Sequence, residues 1–252
     1  NMSRQNFFFA GGGTGGHIYP AIAVAEALQA AGHEVVVIGQ KRGLEAQLIP
    51  AAGVKFIGVS AGKLDRQRPN PLAIIKVLWG LLGALWHVAN VRPAWVIGFG
   101  GFASFPALAA AWLLRRPIAL HEANAYPGLV TKLLARVARV VAAADPAVQS
   151  RLPQSVSVIT VGLPIRTQQV SRAAARRHLN LPQDAFVTLV MGGSQGAKIL
   201  NNYVPQAYAQ LANEGEHVVL HSAGKGREAE VRSTDNNKAY RVVPYVDAAL
   251  GW

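Results

Sequence analysis

The chain contains no cysteine. That removes disulfide scaffolds, zinc–thiolate fingers, iron–sulfur centres and cysteine nucleophiles, and it suits a reducing compartment. Acid is scarce: 13 Asp+Glu stand against 25 Lys+Arg, a formal charge of +12. Charged residues are only 15% of the chain while 51% are apolar, which excludes disorder. The 25 glycines and 14 prolines follow no triplet period, so a collagen-like chain is excluded. Between Arg4 and the first glycine cluster lie only Phe7, Phe8, Phe9 and Ala10 as an apolar run, too short for a secretory signal core.

The 252 residues suggest two domains at ~150 residues each. Basic charge concentrates in the first part: residues 1–165 hold 15 Lys+Arg and 6 Asp+Glu, residues 166–252 hold 10 and 7. The first part therefore seeks anionic partners such as nucleic acid, anionic lipid or a phosphorylated substrate. The basic residues form no dense cluster and no helix-turn-helix pattern accompanies them, so nucleic acid is the weakest of the three.

Short apolar runs alternate with helical patterns. Strands are expected at Asn6–Ala10, Glu34–Gly39, Lys55–Val59, Trp95–Gly98, Ile118–His121, Val140–Ala143 and Val156–Val161. A helix is expected over His17–Ala31, stopped by Gly32. Gly162-Leu163-Pro164 reads as a linker, and the pattern resumes with a Ser171-capped helix to Leu179. Strands at Phe186–Met191, His217–His221 and Tyr240–Val243 follow, with a helix over Ala197–Ala212. Such alternation predicts an α/β fold of two Rossmann-like domains facing a cleft, over residues 1–163 and 164–252.

Each half opens with a strand, a glycine loop and a helix. The first loop is Gly11 to Gly16, followed by His17; the second is Gly192-Gly193-Ser194-Gln195-Gly196. Glycine lets the backbone approach a ligand, and the following helix directs N–H groups and partial positive charge at it. A tight strand-to-helix turn would give the same residues without a ligand. The first loop fits the dinucleotide fingerprint at Gly11, Gly13 and Gly16, but Gly39-Gln40-Lys41-Arg42 lacks the acidic ribose ligand, so only an NADP reading through Arg42 stays open. A P-loop fails, because His17-Ile18 stands where Lys-Ser or Lys-Thr is required.

The ordered motifs resemble the MurG family of bacterial N-acetylglucosaminyltransferases. Gly12-Gly13-Thr14-Gly15-Gly16-His17 is similar to its N-terminal signature, Gly98-Phe99-Gly100-Gly101-Phe102 to its inner glycine loop, and His121-Glu122-Ala123-Asn124 to its His-Glu-Gln-Asn segment. Gly162-Leu163-Pro164-Ile165-Arg166 resembles its interdomain Gly-Asn-Pro-Val-Arg. The loop at Gly192–Ala197 and Ser222-Ala223-Gly224-Lys225-Gly226 resemble its second-domain motifs. The departures include Ala123 for glutamine, Phe102 for tyrosine, Leu163 for asparagine and Ile165 for valine. Family sequences continue past Trp252, so the resemblance implies a GT-B fold with an incomplete second domain.

The activity implied is inverting transfer of N-acetylglucosamine from UDP-N-acetylglucosamine to a hydroxyl of undecaprenyl-pyrophosphoryl-MurNAc-pentapeptide (lipid I), giving lipid II, with no cofactor required. An inverting transfer needs a base. His17 is the candidate, since the positive helix end favours a neutral, proton-accepting imidazole; a packing role beside the loop is the alternative. Glu122 is the rival base, the residue that orients it, or an arginine's partner. Thr14, Gly15, Gly16 and Asn124 are expected to touch substrate. No Asp-x-Asp occurs to hold a metal, so the leaving diphosphate needs backbone N–H groups and a cation. Ser194, Gln195 and Arg166 suit that work, although Arg166 also reads as a solvated linker charge. Val246 falls where the family reads uracil with backbone atoms; by itself it is an ordinary apolar residue.

Pro71 to Val91 is almost entirely apolar, with Leu72, Ile75, Trp79, Leu82 and Trp86 along one stripe. It just reaches the ~20 residues of a membrane span, yet Lys76 and the flanking α/β pattern argue against one. A buried helix and an interfacial helix remain; tryptophan and the basic first domain favour docking on an anionic membrane surface. The resemblance implies a peripheral enzyme at the cytoplasmic face of the plasma membrane, with a nucleotide sugar, a lipid-linked acceptor and other cell-wall synthesis proteins as partners. The competing functions are the NADP-dependent oxidoreductase and an inactive fragment that only binds membrane or partners.

Overall fold

Phe7, Phe8 and Phe9 lie in β1 (Asn6–Ala10), and their alternation splits the molecule's first core in two. Phe8 and Ala10 point into one apolar layer and Phe9 into the other, the period-two consequence of a strand buried on both faces. The computed structural model describes residues 3–60, 71–165, 170–193, 195–211, 217–231 and 239–246; for 71–74 and 211 it gives backbone only.

The chain divides into two compact units, Asn1–Arg166 and Thr167–Trp252. In the first, β1 leads to α1 (Gly15–Ala30), β2 (Glu34–Gln40), α2 (Glu45–Ala51), β3 (Lys55–Val59), α3 (Pro71–Val91) and β4 (Trp95–Gly98). After β4 come α4 (Phe105–Leu113), β5 (Ile118–Glu122), α5 (Leu129–Leu134), β6 (Val140–Ala143) and β7 (Val158–Thr160). The seven strands form one parallel sheet in the order β3-β2-β1-β4-β5-β6-β7. The order reverses between β1 and β4, so the loops leaving their C-terminal ends stand side by side at the switch point, where ligands of such sheets bind.

Strand positions follow the apolar runs closely. The departure is β7, expected over Val156–Val161 and formed over Val158–Thr160. Among the described residues it pairs with β6 on one side only, and Ile159 and Val161 are exposed. An edge strand has half the ladder to hold its ends.

In the second unit, α6 (Arg172–His178) precedes β8 (Phe186–Met191), α7 (Lys198–Leu211), β9 (His217–Ser222) and β10 (Tyr240–Val243). The Ser171 hydroxyl accepts from Ala174 N at 3.3 Å, the cap its sequence position foretold. The described strands form a parallel sheet in the order β10-β9-β8. Both units are therefore parallel-sheet α/β structures.

Candidate functional site

The loops after β1 and β4 meet at the reversal of strand order. Gly100 and Gly101 have φ of +95° and +76°, and a Cβ at Gly101 would stand 2.2 Å from the Gly12 carbonyl oxygen. Only glycine permits both this conformation and this approach. The His17 ring lies against the same backbone: a Cβ at Gly100 would be 3.0 Å from its Nε2.

His17 stands in the first turn of α1, half-buried. Its Nδ1 lies 3.2 Å from the Gly12 carbonyl oxygen and 3.2 Å from Thr14 Oγ1. A carbonyl oxygen can only accept, so Nδ1 carries the proton. In a neutral imidazole Nε2 is then the acceptor. The glycine loop thus selects the tautomer in which Nε2 can take a proton.

Glu122 ends β5 with its carboxylate buried and fully used. Oε1 accepts from Asn124 N at 3.1 Å and Asn124 Nδ2 at 3.2 Å. Oε2 accepts from Gly128 N at 2.9 Å and Thr131 Oγ1 at 2.7 Å. A carboxylate with four donors organises the loop from Ala123 to Thr131. Asn124 is exposed, and its amide oxygen stays available. Next to Glu122, His121 is buried against Phe99, ring centroids 5.6 Å apart. Neither of its ring nitrogens has a hydrogen bond of good geometry. Burial holds its pKa below the usual histidine value, outweighing smaller upward pulls from the Gly162 backbone and Glu122.

Glu45 escaped the sequence reading. It opens α2 fully buried, and its carboxylate accepts from Gly13 N at 3.1 Å and Gln40 N at 3.0 Å. Its side chain fills the space a Cβ at Gly12 or Gly43 would need. A dinucleotide phosphate on this loop would meet an internal carboxylate already bound to the Gly13 N–H. That counts against the NADP reading. The sequence signal was faint: an acid five residues past β2, among glycines whose convergence only the fold reveals.

In the second unit, Gln195 and the loop after β8 lie against the loop after β9. A Cβ at Gly196, whose φ is +68°, would collide with the Ala223 carbonyl. Val246 is buried with Leu181, Ala185, Val218 and Leu220, so its side chain belongs to the core of this unit. Arg166 and Ser194 lie outside the described residues, as does the side chain of Leu72. Among the described residues, no group of three His, Asp or Glu side chains converges as a metal site would require.

A second surface lies on the first unit. Along α3, Trp79 and Trp86 are 67% and 64% exposed, and Ile75, Leu78 and Leu82 are exposed beside them. Ala84 and Val88 face the core instead. Among the described residues, no helix is long and apolar enough to cross a membrane. α3 packs on α4, and both helices run towards the N-terminal edge of the sheet, where exposed Trp112 and Leu113 end α4. A recess of about 440 Å³ there is lined by Arg115, Arg116 and Arg139 together with Trp112, Leu113 and Val137.

Comparison with known proteins agrees with this architecture. Residues 7–143 match the glycosyltransferase family 28 N-terminal domain and residues 187–251 its C-terminal domain. The UDP-N-acetylglucosamine–N-acetylmuramyl-(pentapeptide) pyrophosphoryl-undecaprenol N-acetylglucosamine transferase of Deinococcus radiodurans is 38% identical over 96% of this chain and 69% of its own length. The enzyme of the same name from Nitrosococcus oceani is 41% identical over 96% of the chain and 68% of its length. The crystal structure of Acinetobacter baumannii MurG superposes with a TM-score of 0.66 at 30% identity, covering 97% of this chain and 68% of that one. With both domain models in chain order and relatives this similar over nearly all its residues, the chain belongs to glycosyltransferase family 28 and groups there with the MurG enzymes.

Proposed function

We propose that the chain transfers N-acetylglucosamine from UDP-N-acetylglucosamine to a hydroxyl of undecaprenyl-pyrophosphoryl-MurNAc-pentapeptide, with inversion, forming lipid II. The observation that carries the chemistry is the His17 tautomer: Nδ1–H is spent on Gly12 O, leaving the Nε2 lone pair for the acceptor hydroxyl. The acceptor oxygen attacks the anomeric carbon, the bond to the UDP oxygen breaks, and UDP leaves with that electron pair. The hydroxyl proton passes to His17 Nε2.

Residues 1–163 take the lipid-linked acceptor, with Thr14, Gly15, Gly16 and the exposed Asn124 as contacts. Glu122 serves by shaping the loop that presents Asn124, rather than as the base. Residues 164–252 take the nucleotide sugar, with Ser194 and Gln195 at the diphosphate, Arg166 as the cation and the Val246 backbone at the base. The α3 stripe and the arginine-lined recess dock on an anionic membrane surface, the arginines meeting lipid phosphates and the tryptophans the interface. On this reading the protein works peripherally at the cytoplasmic face of the plasma membrane, among other cell-wall synthesis proteins.

The test is transfer of labelled N-acetylglucosamine to a lipid I analogue. His17→Ala should lower kcat by ~10²-fold or more, the usual worth of a general base, with the donor KM little changed. Turnover equal to the parent would remove His17 from the mechanism. No transfer by the parent would count against the activity itself.

A further inference from the structure

The glycine loop after β8 is held from behind by a chain of side chains that begins in the core. His221 and Asn201 are fully buried and Tyr240 nearly so. Asn201 Nδ2 donates to the Ala223 carbonyl at 3.0 Å and reaches Glu230 Oε2 at 3.4 Å. Its amide oxygen therefore accepts, and His221 Nε2, 3.0 Å away, must donate to it. His221 Nδ1 is then the acceptor for the Tyr240 hydroxyl at 2.7 Å. Every proton in the relay has one consistent place.

The outer end of the relay grips the loop. Glu230 binds Arg227 in bidentate fashion, from Nε at 3.0 Å and Nη2 at 2.8 Å. The remaining arm, Arg227 Nη1, donates to the Gln195 carbonyl at 3.0 Å. The other end of that same peptide, Gly196 N–H, closes a turn onto the Gly193 carbonyl at 3.0 Å. The Gln195–Gly196 peptide is thus fastened at both its oxygen and its N–H. Gly196, with φ of +68°, has no side chain to hold that peptide; besides these two hydrogen bonds it is confined by the close approach of the Ala223–Gly224 backbone.

We propose that Arg227, fixed by Glu230 and through it by Asn201, is a positioning residue that locks the Gln195–Gly196 peptide and so presets the loop for a nucleoside diphosphate. This rests on the reading that the second unit takes the donor. The arginine touches the loop through a backbone oxygen and acts on the ligand only through loop conformation. It is partly exposed, so its replacement spares the core.

The experiment pairs two readouts on the full chain, its Arg227→Ala variant and its Arg227→Lys variant. Amide hydrogen exchange without ligand should show Gly196 exchanging at least ~10-fold faster in Arg227→Ala, while buried β9 amides keep the parent rate. Titration with UDP should show affinity lower by roughly tenfold, the scale of one charge-assisted hydrogen bond. In transfer assays the donor KM should rise with acceptor KM and kcat held. Lysine cannot chelate Glu230 and reach Gln195 at once, so it should restore at most part of both effects. Unchanged Gly196 exchange overturns the proposal, as does faster exchange with unchanged UDP affinity. A parent chain that takes up no UDP would instead strike the donor reading, while the exchange readout would still decide whether Arg227 locks the loop.

Discussion

Glu45 and Glu122 are buried carboxylates whose hydrogen-bond partners, among the described residues, include no cation. Glu45 is held by backbone N–H groups and Glu122 by N–H groups and the Thr131 hydroxyl, and both lie beneath loops at the C-terminal edge of the sheet. This is how a negative side chain can be kept below a glycine loop: backbone amides supply the compensation a lysine would otherwise give. Removing such a carboxylate strands its donors. Glu45→Ala leaves the Gly13 and Gln40 N–H groups without their acceptor, and we expect a loss of ~2–4 kcal/mol from the first unit. Glu45→Gln retains one acceptor oxygen and should lose less. Urea unfolding followed by tryptophan emission checks this, because four of the five tryptophans, Trp79, Trp86, Trp95 and Trp112, belong to the first unit. An unchanged midpoint for Glu45→Ala would show that water replaces the carboxylate without cost. His17 shows the same logic from the other side: it was legible as a candidate because a helix start follows a glycine loop. Its tautomer was not legible, since that depends on where the Gly12 carbonyl turns.

At the scale of elements, the strands were the most readable part of the molecule. A strand buried on both faces must be a short continuous apolar run, and between Gly/Pro-rich breaks such runs have little else to be. What pattern could not supply was which loops would meet. Strand order decides that, and the reversal between β1 and β4 is what brings Gly12 to Gly101. Helix α3 posed a different difficulty. Its apolar residues go nearly all the way round, so periodicity alone left burial and interfacial docking both open. The fold divides them: Ala84 and Val88 pack inward, while Trp79, Leu82 and Trp86 face out. Ala84 and Val88, with the partly buried Leu81 and Leu85, seat the helix, and the outward large residues form an exposed apolar surface that an ordinary soluble helix would cover with charge. Sedimentation with vesicles tests the docking that this suggests. Anionic phosphatidylglycerol vesicles should recover the protein better than neutral ones, with recovery falling as salt rises. Replacing Trp79 and Trp86 together with glutamate should weaken binding by roughly tenfold or more. Equal recovery on neutral vesicles, or none on either kind, would contradict the membrane reading.

For the whole molecule, the excess of basic charge gives long-range attraction to anions, while two buried histidines, one in each unit, and to a lesser degree the half-buried His87, make stability sensitive to acid. His121 and His221 both have pKa values lowered from 6.5, in each case mainly by burial. His221 is further committed to the neutral form by the relay, where Nδ1 must accept from Tyr240, a phenol whose own pKa burial pushes up to about 12. A histidine with a lowered folded pKa binds more protons when unfolded. Its contribution is complete above the unfolded value of 6.5 and is lost as pH falls below it. Each can therefore remove stability at up to ~1.4 kcal/mol per pH unit in that range. Urea midpoints should hold between pH 8 and about 7, then fall towards pH 5, the slope steepening as pH passes through the unfolded histidine value and levelling once both rings are charged in the unfolded chain. Tryptophan emission follows this in the first unit, and His121→Phe, which keeps a ring beside Phe99 without a titrating group, should flatten the decline there. Exchange of the β9 amides follows it in the second unit, where His221→Gln should do the same. A midpoint that falls as steeply in both variants as in the parent would show that these two histidines do not cause the acid sensitivity.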